Sequence, residues 1–138
     1  MKLIKKTLKL ILAFIVLVAL VVLLFLVITS AVRKFEQHNM INRFSNNSTR
    51  FEAFISGERD IDYIKNGAIH YIVTPPFEQL GIESIYEEFE DTILFEQKNR
   101  VLGMFPHGII YVKNKDLLPK WIYIEPIYGS WYYYRIVS

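Results

Sequence analysis

The 138-residue sequence contains no cysteine. That absence excludes a lipoprotein anchor, a disulfide framework, a thiolate zinc site and a cysteine nucleophile. Glycine is scarce, at six residues, and none falls in a phosphate-cradling loop. Serines are plentiful, but there is no G-x-S-x-G elbow and no S-x-x-K pair. The three histidines, His38, His70 and His107, form no H-E-x-x-H motif and no i, i+4 metal pair. There is no internal repeat and no low-complexity stretch. These absences leave no catalytic signature, so the expectation is a non-enzyme with no cofactor and no metal.

Charge is also missing where it matters most. Leu10 to Ile28 is nineteen residues without a polar side chain, and the uncharged run extends over 23 residues to Val32. As a helix this run covers about 34 Å at ~1.5 Å per residue, enough to cross a hydrocarbon core of about 30 Å. The segment holds no titratable residue for a proton or ion path. It also lacks glycine and shows no small-xxx-small face, so it reads as a tether. Thr29-Ser30-Ala31 offers a signal-peptidase-like site. The apolar run is nevertheless longer than a signal core, and threonine at the −3 position departs from the small-x-small pattern, which favours an uncleaved anchor. Lys2, Lys5, Lys6 and Lys9 precede the run, and only Arg33 and Lys34 follow it. The heavier basic flank is expected in the cytoplasm and the C-terminal part outside it.

From Glu36 onward, 10 of the 16 basic residues face all 14 acidic ones, a net charge of −4. No concentrated basic face exists to displace counterions, so a nucleic-acid partner is excluded. Aromatic residues are abundant, with nine Tyr, ten Phe and two Trp, and they favour a packed domain over a disordered tail. The expected organisation is a basic cytoplasmic flank over 1–9, a transmembrane helix over 10–32, a stalk over 33–48 and an extracytoplasmic domain over 49–138.

Within that domain the pattern predicts an α+β fold built on an antiparallel meander. Thr49 and Glu52 have capping-box spacing ahead of a helix over Arg50–Ser56 that buries Phe51, Phe54 and Ile55 and stops at Gly57. Asn66-Gly67 is a type I′ hairpin signal that pairs Ile64 with Ile69, Tyr63 with His70 and Ile61 with Ile72. Thr74 is placed to cap a short helical turn over PFEQL, closed by Gly81. Ile82 to Glu90 fits a helical face, and Thr92–Gln97 fits a strand. Further strands are expected over Val101–Phe105 and Ile109–Lys113, on either side of a Pro106-His107-Gly108 turn. A last hairpin, Trp121–Pro126 with Trp131–Val137, turns at Tyr128-Gly129.

That last hairpin is the most unusual stretch. Placing the loop at Tyr128-Gly129 puts Trp121, Tyr123, Glu125, Tyr132, Tyr134 and Ile136 on one face. Tyr and Trp are enriched at interface hot spots, so Trp121, Tyr123, Tyr132 and Tyr134 form the predicted contact face; dense tyrosine also suits a core strand. The acidic cluster Glu87, Glu88, Glu90 and Asp91 lacks the glycine-bearing loop of a calcium site and reads as a solvated face. Asn47-Ser48-Thr49 fits a glycosylation sequon. Together these observations imply a membrane-anchored protein whose domain binds another envelope protein in an accessory, inhibitory or immunity-type role. Two alternatives are a membrane-bound hydrolase using His70 or His107 with a glutamate, and a structural subunit of a membrane complex.

Overall fold

A computed structural model describes residues 1–98 and 105–137. The predicted strand over Val101–Phe105 lies, except for its last residue, outside the described residues. The chain divides into two compact units, Met1–Phe35 and Glu36–Ser138.

The first 56 residues contain neither glycine nor proline, and helix α1 runs from Lys2 to Asn46. It is long and apolar enough to cross a membrane. Within the apolar run Thr29 returns its hydroxyl to the carbonyls of Phe25 and Leu26, both at 3.0 Å, so its polar group is satisfied inside the helix. The helix ends where Asn47 donates its backbone N–H to Phe44 O at 2.9 Å and its side-chain amide to Arg43 O at 2.9 Å. Those two bonds satisfy carbonyls that a helix C-terminus leaves open.

The second unit begins inside this helix. Met40 and Phe44, four residues apart on one face, are fully buried. The segment read as a stalk over 33–48 thus supplies core residues from its second half onward. Helix α2, Ser48–Ser56, follows at once and buries Phe51, with Phe54 and Ile55 packed beside it. Its start differs from the expected capping box: Asn47 holds the N-cap position without a side-chain bond. Glu52 reaches elsewhere, accepting from Trp131 Nε1 at 2.6 Å and from the Tyr128 hydroxyl at 3.2 Å.

Among the described residues, seven strands form one antiparallel sheet. They are β1 (Ile61–Lys65), β2 (Ala68–Tyr71), β3 (Ile82–Phe89), β4 (Thr92–Gln97), β5 (His107–Val112), β6 (Ile122–Tyr128) and β7 (Trp131–Ile136), in the order β1-β2-β3-β4-β5-β7-β6. The chain is a meander through β5; it then passes through a 3₁₀ turn, Lys115–Leu117, to the far edge and returns as β7. Asn66 and Gly67 adopt φ of 52° and 84°, as a type I′ turn requires. Ile64 pairs with Ile69 and Tyr63 with His70, while a bulge moves Ile61 onto Tyr71 instead of Ile72. Helix α3, Pro75–Gln79, starts at Thr74 through backbone bonds and ends before Gly81, whose φ is +82°.

Strand β3 corrects the predicted helix over Ile82–Glu90. Ile82 and Ile85 pack in one core cluster, and Tyr86 and Phe89 in the other. Residues three apart share a face here because the register shifts between Ile82 and Ser84 and again between Glu87 and Phe89. Each bulge inserts one residue and turns a spacing of two into three, which imitates helical periodicity. The Pro106-His107-Gly108 turn is corrected too, since His107 and Gly108 are buried strand residues.

Both faces of the sheet are apolar. One face packs against α2, α3 and the end of α1. There Phe51 meets Phe44, Phe77, Phe95 and Trp131 with ring centroids 4.9 to 5.9 Å apart. The other face gathers Leu94, Ile110, Ile122 and Tyr134, with Leu118 from the β5–β6 connection. Gly108 lies where β5 crosses β4, and a Cβ on it would sit 1.9 Å from Phe95 O. Gly108→Ala therefore forces backbone apart and is expected to cost about 3 kcal/mol or more. Both tryptophans lie in this domain, so urea unfolding of the full chain in detergent, followed by tryptophan fluorescence, measures the loss.

Candidate functional site

The C-terminal hairpin closes at Gly129-Ser130, with Tyr128 opposite Trp131. Further along, Ile122 opposes Ile136, Ile124 opposes Tyr134, Pro126 opposes Tyr132 and Tyr123 opposes Arg135. Directly opposed residues share a face. The predicted contact face Trp121, Tyr123, Tyr132 and Tyr134 is accordingly divided. Tyr132 and Tyr134 lie with the Leu94 and Ile110 cluster, and Tyr134 is fully buried. Tyr123 lies on the opposite face, 42% exposed, with the Arg135 guanidinium 4.6 Å from its ring centroid. Trp121 precedes the strand, 42% exposed, its ring 6.1 Å from that of Phe89. Moving the loop by one residue changes the pairing offset by two and would have kept the predicted faces. The bulge between Pro126 and Tyr128 changes it by one and exchanges them.

Beside Tyr134 lies a half-buried polar pair. The Tyr86 hydroxyl donates to Glu96 Oε2 at 3.2 Å. Burial raises the pKa values of Glu96, Tyr86 and Tyr134; the Glu96 carboxylate raises that of Tyr86 further, and Tyr86 and then Glu96 raise that of Tyr134. The acidic cluster has structural partners: Glu87 accepts from the Tyr71 hydroxyl at 2.7 Å, and Asp91 pairs with Lys113 at 3.3 Å.

The histidines lie apart. His38 is exposed on α1, and His70 is stacked between Tyr63 and Tyr86 at 4.3 and 5.3 Å. His107 stands in a polar cleft of about 660 Å³ lined also by Glu36, Arg43, Gly81, Gln97 and Lys98. Among the described residues no histidine is hydrogen-bonded to a carboxylate, and no group of three His, Asp or Glu is arranged to hold a metal.

At the other end of the sheet, β1 is an open edge among the described residues. All five of its residues are exposed, including Ile61 (54%), Tyr63 (49%) and Ile64 (65%). In a two-residue hairpin the closing pair, Lys65 and Ala68, is hydrogen-bonded, so Ile64 turns its N–H and C=O outward. The opposite edge, β6, is blunted. It carries Pro126, which offers no donor, and its Glu125 accepts from the Gln37 side chain of α1.

No family model matches the sequence, and no curated protein or solved structure matches it.

Burial lowers the pKa of His107, partly opposed by the Glu36 carboxylate. The unfolded chain therefore takes up a proton near pH ~6.5 that the folded domain refuses, and stability falls as the pH drops through that value. Urea midpoints of the full chain between pH 7.5 and 5.5 are expected to fall more steeply for the wild type than for His107→Gln. The difference in slope is at most about 1.4 kcal/mol per pH unit, the effect of one proton.

Proposed function

We propose that this is a membrane-tethered binding protein. In this reading residues 10–32 span the membrane with the lysine-rich end in the cytoplasm. The domain outside engages an extended segment of another envelope protein, which adds as a strand to β1. The observation that carries the reading is the contrast between the two sheet edges. Natural proteins blunt exposed edges with proline, charge or cover, as β6 does. Strand β1 has neither proline nor, among the described residues, cover: beside its charged Asp62 and Lys65 and its bulge it presents Ile61, Tyr63 and Ile64, with Ile72 close by, next to outward backbone groups. Main-chain bonds would supply affinity in strand addition, and the apolar side chains on alternate faces would supply selectivity. A tether confines both partners to one surface and raises their effective concentration, so a short edge of five residues suffices.

A photo-crosslinking residue in place of Tyr63, in the full-length chain in its native membrane, tests the reading. One discrete adduct with a different protein is expected. It should drop at least ~10-fold in the added presence of Ile64→Pro, which removes an outward donor but leaves the β1–β2 ladder intact. No adduct, an adduct indifferent to Ile64→Pro, or an adduct with a second copy of the chain contradicts it.

A further inference from the structure

The sheet carries a ladder of rings that stops, unfinished, at the β1 edge. Tyr63 opposes His70 across β1 and β2, and His70 opposes Tyr86 across β2 and β3. Their rings are stacked in that order, with centroids 4.3 and 5.3 Å apart and planes inclined by 11° and 23°. Neighbouring strands lie about 4.7–4.9 Å apart, so the stack advances by one strand with each ring. The same row continues inward through Leu94, Ile110 and Tyr132 and meets Pro126 on the far edge strand. At β1 it ends on a bare ring. Tyr63 is 49% exposed, and among the described residues only His70 stacks on it.

The bonding pattern of the hairpin sets what an added strand places beside that ring. Lys65 and Ala68 form the bonded closing pair, so Ile64 and Ile69 are an unbonded pair and Tyr63 and His70 a bonded one. The backbone groups of Tyr63 are thus turned toward β2, and those of Ile64 face outward. An antiparallel strand that bonds to Ile64 places its next residue opposite Tyr63 in an unbonded pair. In such pairs the Cα atoms approach to about 4.5 Å and the side chains come closest.

Main-chain bonds are blind to sequence, so the choice of partner in strand addition falls to the side chains. A flat ring with an imidazole on one face and nothing on the other is matched best by a second flat ring. Aromatic pairs prefer offset stacking with centroids about 4.5–7 Å apart, a distance that a paired strand supplies. An aliphatic residue there buries apolar area without that match. We propose that the segment added to β1 carries Phe, Tyr or Trp opposite Tyr63, as the fourth ring of the ladder, beside an apolar residue opposite Ile64. This inference rests on strand addition at β1 and adds to it the side chain by which the partner is recognised.

The test places a photo-crosslinking residue at Lys65, in the full-length chain in its native membrane. Lys65 is exposed on the same face as Tyr63, and Tyr63 stays intact. Tandem mass spectrometry of the adduct is expected to find an aromatic residue in the partner about two positions from the point of attachment, as the strand period requires. Tyr63→Phe, which keeps the ring, should leave the yield unchanged. Tyr63→Leu should lower it at least ~3-fold, in keeping with the worth of an aromatic pair. An adduct whose attached segment has no Phe, Tyr or Trp within about three positions overturns the ladder while strand addition stands, and this reading needs no variant. So does a smaller loss with Tyr63→Leu, or an equal loss with Tyr63→Phe. Absence of any adduct with a different protein overturns strand addition at β1 and the ladder with it.

Discussion

The domain depends on a ring cluster that no single element can complete. Phe51 of α2 and Phe44 of α1 are stacked edge-on at 4.9 Å, and both rings lie against Trp131 of the last strand. Phe95 and Phe77 close the remaining sides. Each fully buried ring of this size contributes about 1.5–3 kcal/mol by transfer from water, with more from edge-to-face geometry. Glu52 adds direction to this non-directional packing. Its carboxylate receives the indole N–H of Trp131, so α2 is set in one register over the sheet. The same arrangement explains why the helix bearing the apolar run is also part of the domain: without Phe44 the rings of Phe51 on α2 and Trp131 on the sheet would lose their cover on that side.

Much of this plan was legible in the sequence. Asn66-Gly67 marked its hairpin because few residues accept positive φ twice in succession, whereas Thr92–Gln97, buried almost throughout, was separable from the ambiguous stretch before it only as a compromise. What misled was irregularity. Two bulges in β3 gave a strand the spacing of a helix, and one bulge in β6 exchanged the faces of the terminal hairpin. A bulge has no reliable sequence mark, yet it inverts any argument from parity. The end of α1 was obscured differently. Met40 and Phe44 are set among charged and amide residues, so the buried stripe is only two side chains wide.

The candidate sites divide along the same line. Aromatic density drew attention to the C-terminus, but most of those rings serve the two cores, and Tyr134 is wholly enclosed. The open edge at β1 was visible as a strand but not as an edge, because strand order is a property of the assembled sheet. The polar cleft left no trace in the sequence at all. Glu36, Arg43, Gln97 and His107 come from α1, β4 and β5, and no spacing rule connects residues joined only by topology.

The central claim is that the end of α1 is a structural part of the domain. Two truncations test it most directly, one starting at Glu36 and one at Ser48, compared by tryptophan near-ultraviolet circular dichroism and urea unfolding. The account predicts that 36–138 unfolds cooperatively with ordered Trp131, whereas 48–138 shows no cooperative transition. Cooperative unfolding of 48–138 at a similar urea midpoint would contradict it, because the ring cluster would then stand without Phe44.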